Sequence, residues 1–243
     1  MSKVLQIHSE TRGAHGSRRT SEKLRSQGHD VGRYRAHSLM KKAGVFVKRR
    51  KKFTITTESK HNFPVAPNLL NRNFQVDRPD AVWCSDISYL CTIEGWLYLT
   101  VIIDLYSRKV VGWSMSSRMK ASLATEVLSM AYKRRKTGKE LIHHSDRGSQ
   151  YAGGDYRKPL SIWGMICSMS RKGDCWDNAV AESFFHSLKT EWTADKIYRT
   201  RSDARGDVIQ YIEMFYNSNR LHSYLGYKNP NDFEKNSILA KAA

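Results

Sequence analysis

The sequence predicts an α/β protein in which helices flank a mixed five-stranded sheet, and a small all-α module precedes that sheet. Three observations lead to this prediction: a basic, helix-forming N-terminal stretch, a run of three strands from residue 81, and alternating helices and strands after them. Strands joined by short turns form antiparallel neighbours, whereas strands separated by helices add parallel ones. The 243 residues are enough for one sizeable domain and a small second module.

The first 46 residues predict a helix-turn-helix module. SRRTSEKLRSQG (17–28) begins with serine and ends with glycine, and GRYRAHSLMKKAG (32–44) predicts a second helix that ends at Gly44. Two short helices around a turn are typical of DNA-binding helix-turn-helix modules, and a basic helical hairpin without that role is the alternative. The predicted DNA contacts on the second helix are Arg33, Arg35, Lys41 and Lys42.

The charge of the chain indicates a polyanionic partner. Residues 1–70 contain 16 Lys and Arg against 4 Asp and Glu, and the whole chain has a formal charge of +18. Phosphate contacts by basic side chains supply much of the affinity for nucleic acid, so DNA is the predicted partner. Residues 47–80 are predicted to be a basic, proline-containing linker. Its charge run, predicted to follow the DNA backbone, consists of Lys48, Arg49, Arg50, Lys51 and Lys52.

Cysteine usage and hydropathy exclude several other classes of protein. The four cysteines, Cys84, Cys91, Cys167 and Cys175, form no Cys-x-x-Cys pair, which argues against a zinc ribbon. An anionic membrane surface is the alternative partner for the basic stretch, but no segment predicts a basic amphipathic helix with a broad apolar face. There is also no signal peptide or apolar run of membrane-spanning length. We therefore expect a reduced, soluble, cytoplasmic protein.

The catalytic core is predicted over residues 81–200, and residues 201–243 are predicted to extend it with helices. The predicted strands are 82–90, 96–104, 109–116, 139–146 and 165–170, with a hairpin turn at 92–95. The predicted helices are 120–136, 149–164, 178–192 and 202–218, and the third of them has Asp177 or Asn178 as its N-cap.

Three carboxylates occupy informative positions in this pattern. Asp86 interrupts an apolar strand, Asp146 ends the fourth strand, and Glu182 lies on the helix that follows the fifth. Taken singly, each is more often a solvated edge residue. Together, three carboxylates from separate elements can hold two hard divalent cations, which would clamp the attacking and leaving oxygens of a phosphodiester.

The helix within GDCWDNAVAESFFHSLKTEW (173–192) has two distinct faces. One stripe is apolar and is expected to pack on the sheet, because its residues recur at helical spacing. The adjacent stripe contains Glu182, His186 and Lys189. We expect Glu182 to face the edge of the sheet and Lys189 to contact a DNA phosphate about two turns further on.

The spacing of the carboxylates resembles that of a known enzyme family. Asp86 and Asp146 are separated by 59 residues, and Asp146 and Glu182 by 35, with a basic residue seven positions after the glutamate. WCSDISYL, WLYLTVIIDLYSRKVVGWSM, HHSDRGSQYAG and YIEMFYNSNRLHSYLGYKNP add further matches. Together these motifs resemble the DD(35)E integrase core of bacterial insertion-sequence transposases from the large two-reading-frame family, of which this chain resembles the downstream product.

The resemblance implies a ribonuclease-H-like fold for residues 80–200 and Mg²⁺ or Mn²⁺, two ions in all, held by Asp86, Asp146 and Glu182. It implies cleavage at the ends of a mobile element and joining of the freed 3′-hydroxyl to target DNA. The implied partners are double-stranded DNA, further copies of the chain on that DNA, and an upstream-frame helix-turn-helix protein or a frameshift fusion with it. A nucleoid-associated location in bacteria follows from the same resemblance.

Other interpretations stay open at this point. His144 and Asn178 match motif positions, and His144 would either orient a nucleophile or phosphate or simply pack beside the strand end. Asp104 is expected to pair with Arg108 in a turn. A ribonuclease-H-like nuclease that cuts without joining is one alternative function. A DNA-binding regulator, or an inactive remnant of a transposase, is the other.

Overall fold

The computed structural model describes residues 1–47, 63–137 and 140–242, without the side chains of residues 175 and 240–242. The strands are β1 (Val82–Thr92), β2 (Gly95–Asp104), β3 (Val110–Ser116), β4 (Ile142–Ser145) and β5 (Ile166–Met169). The first helices are α1 (Ser2–Glu10), α2 (Ser17–Ser26), α3 (Arg33–Lys42) and α4 (Ala121–Arg135). The later helices are α5 (Ser149–Ala152), α6 (Gly154–Ile162), α7 (Ala179–Ser187), α8 (Arg201–Ile209) and α9 (Pro230–Ala242).

The five strands form one mixed sheet in the order β3-β2-β1-β4-β5. β1, β2 and β3 are antiparallel, and β4 and β5 add to β1 in parallel. This confirms the predicted meander followed by alternating units. The predicted hairpin turn is also present, and Gly95 begins β2 with φ +106°, a conformation that a residue with a side chain rarely adopts.

Helices α4, α5 and α6 cover one face of the sheet. Their apolar side chains form a core with residues from four of the strands: Trp83 of β1, Ile102 of β2, Val111 of β3 and Met169 of β5. Helix α4 lies so close to β3 that a Cβ atom on Gly112 would come within 2.8 Å of the carbonyl oxygen of Val127. The glycine in β3 is therefore what permits this close packing.

Helix α7, helix α8 and the π-helical turns after them cover the opposite face. The apolar stripe predicted for α7 is buried here, with Phe184 and Phe185 packed against Leu97, Leu99 and other apolar residues of the sheet. Each large apolar side chain removed from water in this way contributes about 1.5–3 kcal/mol. This burial fixes α7 along the sheet and so determines where Glu182 lies.

The three N-terminal helices have a small core of their own. Val4, Ile7, Leu24 and Met40 are buried together. The module also contacts the main core, because Ala14 is buried among the apolar residues of α7, α8 and the sheet.

Two predicted helices are wrong in detail. The single helix predicted over 149–164 is two helices, because the chain is extended at Gly153 (φ −68°, ψ 154°). The helix predicted over 178–192 starts with a 3₁₀ turn, continues as α7 and ends as a π-helical turn, Leu188–Trp192. Asn178 occupies the N-cap position of α7, but its side chain makes no capping hydrogen bond there.

The described part of the predicted linker, from residue 63, packs on the core. Leu70 is buried with Val82, Cys84 and Leu105, and Phe74 packs against the same cluster. None of the helices in the described ranges has the length and apolar character needed to cross a membrane.

Candidate active site

Two carboxylates emerge side by side from neighbouring parallel strands. β4 follows β1 in a register that ends with Ser145 opposite Ser85. The residue that follows each of these serines is an aspartate. Asp86 and Asp146 therefore lie next to each other at the same edge of the sheet. The carboxyl ends of parallel strands are where open α/β sheets bind ligands.

Each of these aspartates has a local backbone donor. The Ile87 N–H donates to Oδ1 of Asp86 at 2.8 Å, and the Gly148 N–H donates to Oδ1 of Asp146 at 2.9 Å. Burial and the negative charge of Asp146 raise the pKa of Asp86 well above its usual range, against the opposite effect of the Ile87 N–H. The pair therefore concentrates negative charge that a cation would stabilise.

Glu182 belongs to the same electrostatic environment. It lies in the first turn of α7 on the exposed side of the helix, next to the stripe that packs on the sheet. Its charge contributes to the raised pKa of Asp86, and partial burial raises the pKa of Glu182 itself. The helix thus brings a third carboxylate toward the pair on the strands.

The three residues suit a hard divalent cation by their chemistry. All their donor atoms are carboxylate oxygens, the ligands that Mg²⁺ prefers, and their mutual repulsion favours a bound positive charge. In the ranges that the structure describes, no three His, Cys, Asp or Glu side chains are already gathered into a metal-binding cluster. The donors therefore fit such an ion in type and charge, without a preformed cage.

Lys189 lies beside the carboxylates. Burial lowers the pKa of its ammonium group to about 8, while the charge of Asp86 acts in the opposite direction. The Lys189 Nζ atom lies 4.8 Å from the centroid of the Tyr89 ring. The structure therefore places a basic side chain beside the aspartates.

Asn178 connects the start of α7 to strand β1. Its Nδ2 donates to the carbonyl oxygen of Ser85 at 3.1 Å, immediately before Asp86. Its Oδ1 is buried and has no hydrogen-bond partner among the described residues. A buried polar atom without a partner is costly, so it is a candidate contact for a bound water or substrate.

Asp177, which the sequence suggested only as a helix cap, instead anchors the loop before α7. Its fully buried carboxylate accepts hydrogen bonds from Asn68, Arg72 and Arg171, at distances of 2.7–3.2 Å. These donors, above all Arg171, hold the pKa of Asp177 well below its usual range. No local signal could reveal this role, because Asn68 and Arg72 are more than 100 residues away in sequence.

His144 is enclosed next to the site. Its ring is fully buried, with Nδ1 2.8 Å from the Ser168 hydroxyl and Nε2 3.2 Å from the Ser170 hydroxyl. Burial lowers the pKa of the imidazole to about 4, so the ring is neutral near pH 7. Of the two roles considered for His144, this environment favours packing between β4 and β5.

The expected pair of Asp104 and Arg108 is wrong. Asp104 instead accepts hydrogen bonds from the Ser107 N–H, the Ser107 hydroxyl and the Asp80 N–H. The Arg108 guanidinium donates to the carbonyl oxygen of Phe74. Burial raises the pKa of Asp104 to about 6, and the carboxylate closes the turn after β2.

The predicted DNA contacts of the N-terminal module are placed on one helix. Arg33 and Arg35 lie in the first turn of α3, Lys41 and Lys42 lie in its last turn, and all four side chains are exposed. The basic run Lys48, Arg49, Arg50, Lys51 and Lys52 lies outside the described residues.

Family comparisons identify three matching domain families along the chain. The integrase core domain family matches residues 76–175, and a second integrase core domain family matches residues 164–230. The HTH-like domain family matches residues 1–53. The fold and these family matches thus define an enzyme of the integrase class with an attached helix-turn-helix-like domain.

Curated relatives narrow the class to a family. Transposase InsF for insertion sequence IS3A of Escherichia coli (strain K12) is 42% identical over 97% of this chain and 82% of that protein. The insertion element IS600 uncharacterized 31 kDa protein of Shigella sonnei is 44% identical over 94% of this chain and 84% of that protein. The chain belongs to this family of insertion-sequence transposases, and is therefore a DNA-cutting and DNA-joining enzyme.

A solved structure supports the fold independently. A chain of the simian T-cell lymphotropic virus intasome, solved with the PP2A regulatory subunit B56 gamma, aligns with a TM-score of 0.56 at 14% identity. The alignment covers 95% of this chain and 74% of the viral one. At this identity, the likeness extends to the fold alone.

Proposed function

We propose that Asp86, Asp146 and Glu182 are the catalytic carboxylates of a transposase that cleaves the ends of an insertion sequence and joins the freed 3′-hydroxyl to target DNA. The observation that carries this proposal is the register of β1 and β4, which brings Asp86 and Asp146 out at one edge. The effect of Glu182 on the pKa of Asp86 supports a single site for all three.

The chemistry is a pair of phosphodiester displacements. Water attacks the scissile phosphate, the bond to the 3′-oxygen breaks, and that oxygen leaves as a 3′-hydroxyl. The 3′-hydroxyl then attacks a target phosphodiester, so that one phosphorus–oxygen bond forms for each that breaks. Both nucleophiles are water or DNA, and no covalent bond to the protein is needed.

The carboxylates would hold the divalent cations, Mg²⁺ or Mn²⁺, and two ions suit such a displacement. When bound, such ions activate the attacking oxygen and stabilise the charge of the leaving one. Asn178 keeps the start of α7 against the backbone before Asp86, and Asp177 anchors the loop that leads to it. Lys189 would bind a DNA phosphate beside the carboxylates.

The N-terminal module would bind duplex DNA at the element ends. Arg33, Arg35, Lys41 and Lys42 are exposed on α3, and one such helix of a helix-turn-helix domain typically enters the major groove. Because two ends and a target must meet, we expect more than one copy of the chain on DNA. The upstream-frame protein, supplied separately or by a frameshift fusion, stays a predicted partner, and the bacterial nucleoid stays the predicted location.

Cleavage without joining and DNA binding without chemistry are the competing functions. We would measure nicking of supercoiled plasmid with and without Mg²⁺, for the wild type and for Asp86→Asn, Asp146→Asn and Glu182→Gln. We expect each substitution to abolish metal-dependent nicking and to leave DNA binding unchanged, since each removes one charged ligand. A parallel fall in DNA binding would mean that these carboxylates are structural. Nicking by all three variants would refute their assignment as the catalytic residues.

A further inference from the structure

A cluster of aromatic rings lies on the hairpin of β1 and β2, beyond the carboxylates. Tyr89 pairs across the strands with Tyr98, and Cys91 pairs with Trp96. The Tyr89 and Trp96 rings meet edge to face with their centroids 4.6 Å apart, and Tyr98 is 6.5 Å from Tyr89. Trp96 is nevertheless 47% exposed, so a large part of this ring is open to a ligand.

This cluster is connected to the active site through Lys189. The Lys189 ammonium lies over the Tyr89 ring, and its charge also acts on Asp86. Within the described ranges, β4 accompanies β1 only as far as Ser85, and the edge of β1 then meets no other strand segment until Thr92, which forms an isolated bridge with Tyr198. A flexible polyanion could therefore follow this edge from the carboxylates to the aromatic rings.

The hairpin that presents Trp96 is held in place. Nε of Arg201 donates to the carbonyl oxygen of Trp96 at 3.1 Å, and Nη2 donates to that of Glu94 at 2.6 Å. The Arg201 N–H also donates to the Glu94 carboxylate at 2.8 Å. Arg201 is the first residue of α8, so the exposed tryptophan projects from a backbone that is fixed to the core.

We propose that Trp96 and Tyr89 form a stacking site for unpaired bases of a DNA strand that passes from the active site along the edge of β1 between Asp86 and Cys91. Every base has a π face, so aromatic side chains bind single strands with little regard to sequence. Lys189 supplies the positive charge that such a strand requires. The proposal rests on the proposed function, because it takes the carboxylates as the point where the strand is cut.

The distance along the strand sets the expected length of the unpaired segment. Tyr89 lies three residues beyond Asp86 on β1, and Cys91, which pairs with Trp96, lies five residues beyond it. At about 3.3 Å per residue, the aromatic rings are therefore about 10 to 17 Å from Asp86 along the strand. At the duplex spacing of about 3.4 Å per nucleotide, this corresponds to at most about three to five nucleotides from the scissile phosphate, and to fewer where the unpaired strand is extended. The site thus suits a short frayed end.

The test is a binding measurement without metal, so that no cleavage occurs. Fluorescence anisotropy of the full chain would compare a blunt duplex with the same duplex carrying a single-stranded extension of about five nucleotides. A third duplex carries an abasic extension, which keeps the phosphates and removes the bases. We expect the normal extension alone to increase affinity, and Trp96→Ala to reduce that gain by about five- to 100-fold with blunt-duplex affinity unchanged.

Two matched variants separate stacking from other contacts. Trp96→Phe keeps an aromatic ring and should retain most of the gain, whereas Trp96→Leu keeps apolar area and should lose it. Equal binding of the abasic extension, or full retention by Trp96→Leu, would overturn the proposal. So would a change in the sedimentation of the DNA-free chain on Trp96→Ala, since this would make the cluster a protein interface.

The proposed function and the stacking site fail in different assays. Metal-dependent nicking without any gain from the extension would refute the stacking site alone. A gain from the extension without nicking, by either the chain or its fusion to the upstream-frame product, would support base stacking while refuting the catalytic role of the carboxylates.

Discussion

Glu191 joins the N-terminal helices to the catalytic core, and its neutralisation should be costly. Arg220 donates to both carboxylate oxygens of Glu191 at 2.7 Å, and Arg19 of α2 donates to one of them at 2.9 Å. Burial alone would raise the pKa of Glu191, but these cations hold it below its usual value. Glu191→Gln keeps the shape of the side chain and removes the charge.

The expected magnitude follows from the burial of the pair. The Arg220 side chain is only 7% exposed and that of Glu191 only 13%. Removing one partner of a buried ion pair leaves an uncompensated charge and costs about 3–5 kcal/mol. For a chain of this length, about 2–4 °C of unfolding midpoint corresponds to each kcal/mol, so we expect a fall of about 6–20 °C.

Thermal unfolding followed by circular dichroism checks this expectation. The control is Glu22→Gln, which removes an exposed pair with Arg25 on α2 and should cost less than about 1 kcal/mol. Hydrogen exchange of α2 should also accelerate in Glu191→Gln, because Arg19 loses the negative charge that holds it to the core. A midpoint within about 2 °C of the wild type would refute the argument from buried charge.

Three further perturbations have defined outcomes. Lys189→Ala should make the plot of log DNA affinity against log salt concentration less steep by about 0.9, whereas Lys189→Arg should leave it unchanged. An unchanged slope in the alanine variant would exclude a phosphate contact. Asp177→Asn should lower the nicking rate by about 10- to 100-fold without weakening DNA binding, as expected of a residue that positions the metal ligands. Burial lowers the pKa of His15 and His143 to about 3 and that of His222 to about 2, so the unfolded chain binds more protons below pH 6.5. The free energy of unfolding should therefore fall as the pH drops from about 6.5 toward 4, by up to about 1.4 kcal/mol per pH unit for each histidine. Denaturant titrations should show a flatter dependence on pH for His15→Phe, and a dependence as steep as that of the wild type would contradict this.

Local patterns in the sequence were enough to predict much of the fold. Runs rich in apolar and aromatic residues predicted the first three strands, and helical spacing predicted the buried stripe of α7, because both patterns follow from which side chains leave water. The mixed five-stranded sheet is confirmed, as is the membership in the insertion-sequence transposase family. The domain boundaries at residues 46, 80 and 200 stay a prediction.

Contacts between distant segments could not be predicted in this way. The role of Asp177 depends on Asn68 and Arg72, which are more than 100 residues away. Within the turn after β2, Asp104 accepts hydrogen bonds from the nearby Ser107 and from Asp80 rather than from Arg108. The break at Gly153 reflects a backbone conformation that a helical pattern of side chains does not encode. In each case, tertiary packing decided between options that the local sequence left open.

In the candidate site too, local sequence predicted some features and only the fold showed the others. Spacing and residue type singled out Asp86, Asp146 and Glu182, but only the register of β1 and β4 shows why the two aspartates meet. The arrangement of Asn178 against Ser85 also required the fold, because 93 residues separate them. These supports determine how rigidly the carboxylates are held.

Joining of a labelled DNA end is the most direct test of the central claim. The chain would be incubated with Mg²⁺, target plasmid and a duplex that carries the terminal repeat of its own element with a labelled 3′-hydroxyl strand. An Asp146→Asn variant, and a fusion to the upstream-frame product, would be run in parallel. We predict that the wild type or its fusion joins the labelled strand covalently to the plasmid, and that the Asp146→Asn variant does not. Joined product from Asp146→Asn, or cleavage without any joining by the wild type and the fusion, would contradict the account.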